Sequence, residues 1–77
     1  MGIIVLGVLE LNSIAVGLQA LDGMIKAAPI QIIDAKTICP GKFVVIVSGE
    51  VAAVDAALSR GKEIGGGYVV DELFIPN

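Results

Sequence analysis

Hydrophobic positions along this chain follow two different periods, and each change of period marks an element boundary. Gly2–Leu11 (GIIVLGVLEL) is a run of branched aliphatic residues and reads as a strand. Asn12 and Ser13 follow it, and both are good helix N-caps. Ile14, Leu18, Leu21 and Ile25 then recur as one stripe of a helix, with Lys26 in the last turn and Pro29 forcing a stop. The first helix is therefore expected over Ser13–Ala28.

Ile30–Thr37 (IQIIDAKT) reads as a second strand of mixed polarity, and Cys39-Pro40-Gly41 as a tight turn. Phe43–Ser48 (FVVIVS) is a third, continuously apolar strand. Gly49-Glu50 opens a second helix, with Val51, Val54 and Leu58 on one face and Ala52, Ala53, Ala56 and Ala57 allowing close packing. Gly61 and then Gly65-Gly66-Gly67 are expected to end it, and Tyr68–Ile75 (YVVDELFI) is the last strand.

The order β-α-β-β-α-β, joined by right-handed crossovers, gives an α/β (α+β) domain of ferredoxin-like topology. Its sheet has four mainly antiparallel strands with both helices on one face. The first and third strands are apolar on both faces and belong in the middle. The second and fourth carry Asp34, Lys36, Asp71 and Glu72 and belong at the edges. The other face of the sheet keeps apolar residues, most simply for another subunit. All 77 residues are read as a single domain, without repeat or linker.

Composition sharpens the point about partners. Hydrophobic residues make up 56% and charged residues 17%, against roughly 25% charged in ordinary soluble domains. So little charge suggests that much of the surface meets protein rather than water. A domain of this size also buries only about 60% of its unfolded surface, so oligomerisation is a natural remedy.

No membrane span is expected, because Glu10, Asp22, Lys26, Asp34 and Lys36 interrupt the apolar runs short of the roughly 18 residues required. Met1–Leu9 lacks the basic region and cleavage site of a signal peptide, so a cytoplasmic location is expected. A net charge of −3 with no basic cluster argues against nucleic acid.

Candidate chemistry is sparse. There is no histidine, hence neither the commonest general base nor the commonest metal ligand. Ser13, Ser48 and Ser59 have no histidine partner, and Asp71 and Glu72, adjacent on a strand, point to opposite faces. Gly65-Gly66-Gly67 precedes a strand and lacks the Lys-Ser/Thr of a phosphate loop. Nothing here reads as an enzyme. The single cysteine, Cys39, excludes an intrachain disulfide and is the one residue with distinctive chemistry. By itself it reads first as an idle thiol, and the turn around it as readily as a simple hairpin.

The chain resembles the bacterial microcompartment shell domain. The resemblance runs from Gly7-Val8-Leu9-Glu10 to Phe74-Ile75-Pro76. Its most telling stretches are Asp22-Gly23-Met24-Ile25-Lys26-Ala27-Ala28 and Val47-Ser48-Gly49-Glu50-Val51-Ala52-Ala53-Val54. Within the family, Thr37-Ile38-Cys39-Pro40-Gly41-Lys42-Phe43 looks like the first half of the tandem-domain, trimer-forming branch found in propanediol-utilising compartments. That branch has two such domains and this sequence one, which leaves a second domain beyond Asn77 open.

The resemblance implies a structural shell protein: homo-oligomeric tiles, hexameric or (for a tandem protein) trimeric, packed with other shell proteins around encapsulated enzymes. It implies that Cys39, Pro40, Gly41 and Lys42 line a central pore, and that Cys39 is a metal ligand. A [4Fe–4S] cluster would then be shared between subunits at the symmetry axis for electron transfer across the shell, since one thiolate per chain cannot hold it alone. Lys26 matches the tile-edge lysine of shell hexamers; on sequence alone it is a solvated lysine at a helix C-terminus. A different class stays open beside this one: a ferredoxin-like regulatory module that dimerises and binds a small molecule at the interface.

Overall fold

The computed structural model describes residues 3–76. The chain runs through β1 (Ile4–Leu11), α1 (Ile14–Ala27), β2 (Gln31–Ile38), β3 (Lys42–Glu50), α2 (Val51–Gly65), a short 3₁₀ turn (Gly66–Tyr68) and β4 (Val69–Ile75). The strands form one antiparallel sheet in the order β2-β3-β1-β4, so the two strands apolar on both faces are central, as expected.

Both helices pack on one face. Val5, Leu9 and Leu11 of β1 and Phe43, Val45 and Val47 of β3 turn toward them and are buried with Met24, Val54 and Leu58. The intervening residues Ile4 and Leu6, with Leu73 and Ile75 of β4 in register beside β1, remain exposed on the opposite, open face. Asp71 and Glu72 do diverge. Asp71 lies opposite Glu10 on the open face, whereas Glu72 reaches Lys62 of α2 at 2.9 Å.

Helix α1 starts where Ser13 caps it: the side chain accepts from the Val16 N–H at 3.2 Å. Of its aliphatic stripe only Leu21 packs against the core, where it is partly buried. Gly17, Ala20 and Met24 are buried, while Ile14, Leu18 and Ile25 face outward at 40, 53 and 51% exposure. The helix comes too close to β3 for large side chains: a Cβ at Gly17 would stand 2.7 Å from Cβ of Phe43. In α2 likewise, Val54, Ala57, Leu58, Gly61 and Gly65 are buried, but Val51, Ala52 and Ala56 are exposed.

Gly61 does not end α2, contrary to expectation. It lies inside the helix where α2 crosses β1 and α1, and a Cβ there would meet Leu9 Cδ2 at 2.7 Å and Met24 Sδ at 2.8 Å. Close approach, rather than a stop, is what the glycine provides. The helix ends at the second signal, where Gly66 takes φ +53° and its N–H donates to the Lys62 carbonyl.

Candidate functional site

The distinctive chemistry sits at the tip of the β2–β3 hairpin. Ile38 and Lys42 are the last register pair, and Cys39, Pro40 and Gly41 form the three-residue connection. Gly41 has φ +67° and open space around it, so the left-handed conformation, not crowding, calls for glycine here. The Cys39–Pro40 peptide is cis. Cys39 is a free, exposed thiol, and Pro40 and Gly41 are exposed beside it.

Lys42 is held differently. Its Nζ lies 3.4 Å from Oε2 of Glu10, with the two side chains 40 and 28% exposed. Glu10 pairs in register with Val44, two positions further from the tip than Lys42. The lysine therefore leans back along the sheet, away from the three residues of the turn. Sequence reasoning missed Glu10, because nothing local connects it to Lys42. The two meet only through the β1–β3 register.

Lys26 belongs to another part of the molecule. It stands 74% exposed in the last turn of α1, 2.9 Å from Asp22 one turn earlier. That turn leads directly into the start of β2, and Cys39 follows the end of β2. Eight residues of strand at roughly 3.3 Å each put about 26 Å between the two positions. So Cys39, Pro40, Gly41 and Lys42 share one end of the fold, and Lys26 lies near the other.

Within one chain this arrangement offers little for catalysis. Among the described residues no three His, Cys, Asp or Glu side chains gather where they could hold a metal ion. A groove of about 550 Å³ between the end of α1 and the start of α2 is lined by alanines, Pro29 and Glu50, with no second acid or base. A soft metal or cluster would thus find a single thiolate per chain, and the donor set suits such a group only where several chains bring Cys39 together. No helix among the described residues is long and apolar enough to cross a membrane.

Comparison with known proteins covers both ends of the fold together. The profile of the BMC domain matches residues 5–77. This chain belongs to the BMC domain family. As a BMC domain it is 46% identical, over 94% of its length, to the bacterial microcompartment shell protein PduT of Citrobacter freundii. It is 33% identical, also over 94% of its length, to the carboxysome shell protein CcmK2 of Synechococcus elongatus, of which it covers 74%. Among solved structures, a microcompartment protein from Desulfitobacterium hafniense superimposes with a TM-score of 0.95 at 41% identity over 99% of this chain. The BMC domain described here spans 39% of the length of PduT and 42% of the Desulfitobacterium chain.

Proposed function

We propose that this BMC domain is a building block of a bacterial microcompartment shell. Copies assemble into a hexameric or pseudohexameric tile, and the Cys39 hairpins converge on its axis. The observation that carries this reading is similarity to shell proteins along almost the whole chain, 46% identity over 94% of it in the PduT match. The surface agrees with self-association. Ile14, Leu18 and Ile25 on α1 and Ile4, Leu6, Leu73 and Ile75 on the open face are apolar and exposed, more than a small monomer usually leaves in water. In this reading the apolar surfaces meet neighbouring copies, the Lys26 end meets the next tile through its aliphatic stem, and the enclosed space holds enzymes.

At the axis, the Cys39 thiolates of several chains would hold a [4Fe–4S] cluster, which when bound supplies one-electron transfer across the shell. Three chains contribute three thiolates and six contribute six, so the symmetry of the ring sets the ligand count. The exposed position of Cys39 at a hairpin tip leaves its sulfur free for such a shared site.

Native mass spectrometry on anaerobically purified protein tests the reading, because it counts subunits and bound iron–sulfur mass together. A ring with cluster mass is expected, and Cys39→Ser should keep the ring and lose the iron. A dimer with no added mass sinks the shell reading and favours the regulatory module. Lys26→Asp should leave rings intact but prevent extended sheets in negative-stain micrographs; undiminished tiling removes Lys26 from the edge.

A further inference from the structure

Lys42 is the cation that directly adjoins the Cys39–Gly41 turn, yet it is paired away from it; Lys36, three residues before Cys39 on β2, is paired with Asp34 at 3.5 Å. The geometry points to Glu10 as a positioning residue: we propose that it holds the Lys42 ammonium back along the sheet and so withholds a positive charge from the Cys39 turn. Three observations carry this. The Nζ to Oε2 distance is 3.4 Å. Glu10 lies opposite Val44, on the side of Lys42 remote from the tip. Asp71, the register partner of Glu10 on β4, adds a second carboxylate on the same face, although its Oδ1 already accepts from the Glu72 N–H at 2.8 Å. Of the carboxylates near Lys42, Glu10 is thus the one in contact with it.

The consequence rests on the proposed convergence of the hairpins. One lysine released toward the tip adds one charge in a monomer, but the ring symmetry repeats it at the axis in every subunit. A group held by the Cys39 thiolates, or an anion passing the turn, then meets a field set by whether Glu10 retains its lysine. Glu10 therefore tunes the electrostatics of the tip without touching whatever binds there.

The test reads the field directly at Cys39 and does not need the cluster. Iron-free protein is reacted with a dianionic aromatic disulfide and with a neutral dipyridyl disulfide at the same pH. The ratio of the two rates cancels the fraction of ionised thiol. In Glu10→Gln the anionic-to-neutral ratio should rise roughly threefold at about 10 mM ionic strength, the size expected for one extra charge within about 10 Å of a dianion in water. At about 0.5 M salt it should fall back toward wild type. In a Lys42→Met background the same Glu10→Gln change should give less than about half that rise.

An unmoved ratio overturns the proposal, and so does a rise of equal size with and without Lys42, since Glu10 would then act by its own charge. Circular dichroism and native mass, unchanged across the four proteins, show that the readout is not a folding effect. Should the ratio move as expected while wild-type protein binds no iron, the cluster reading fails and the role of Glu10 stands.

Discussion

The helix-facing interior and the hairpin tip use glycine for opposite reasons. Inside, Gly17 and Gly61 are glycine because neighbouring side chains occupy the space a Cβ would need. At the tip, Gly41 has nothing within 4 Å of a Cβ and is glycine because φ is +67°. The interior is thus constrained by volume and the tip by backbone conformation alone. Side chains at the tip are free to be chosen for what they meet outside the domain, and this is where the single cysteine stands. A fold whose stability is concentrated on one side of the sheet leaves the hairpin available for function.

The sharpest test of the interior half is Gly17→Ala. The new Cβ would stand 2.6–2.7 Å from Cδ2, Cβ and Cγ of Phe43, a 4% exposed ring whose Cβ cannot swing away. Overpacking of this kind costs about 1–3 kcal/mol, and the helix-propensity gain of alanine returns at most about 1 kcal/mol. A net loss of about 1–2 kcal/mol is expected in urea unfolding at fixed protein concentration. Gly23→Ala is the control within the same helix. Its one close contact, Cδ1 of the half-buried Ile64, is the end of a flexible chain, so the two terms should nearly cancel. Equal losses in both variants would mean that burial as such, rather than an immovable neighbour, governs this side.

Much of this division was legible in the sequence. The apolar runs of β1 and β3 placed both strands at the centre of the sheet, and the charges of β2 and β4 placed those at its edges, because edge strands are where charged side chains are carried. The exposed turn at Cys39-Pro40-Gly41 was equally local, read from Pro-Gly chemistry alone. What escaped was every feature made by two distant segments meeting. Gly61 looked like a stop because the crossing of α2 with Leu9 and Met24 is not written near it. The direction of the stripe Ile14, Leu18, Leu21, Ile25 was not written in it either: helical periodicity marks a stripe but not which way it faces, and of the four only Leu21 packs against the core. The Glu10–Lys42 pair depends on a strand register that no short stretch of sequence records.

For the tip, Gly41→Ala should cost about 1 kcal/mol, the usual penalty for a Cβ in left-handed backbone. Gly41→Asn should cost less, because asparagine tolerates that conformation. If both cost nothing, the turn relaxes to another shape and conformation is not what constrains it.

The smallest stability effect, and the most informative, is expected from Cys39→Ser. The thiol is exposed and makes no hydrogen bond among the described residues, so the change should stay within about 0.5 kcal/mol, as for an ordinary surface substitution. Because assembly couples to stability through concentration, the unfolding midpoint should be followed over a range of protein concentrations. Wild type and variant should then show the same midpoint and the same concentration dependence in iron-free buffer. A gap that opens only for wild type, and only when iron and sulfide are supplied, would tie the thiol to a ligand that binds the assembled state. A gap of more than about 1 kcal/mol without iron would instead mean that Cys39 is packed between subunits, and that the tip is under the same constraint of volume as the interior.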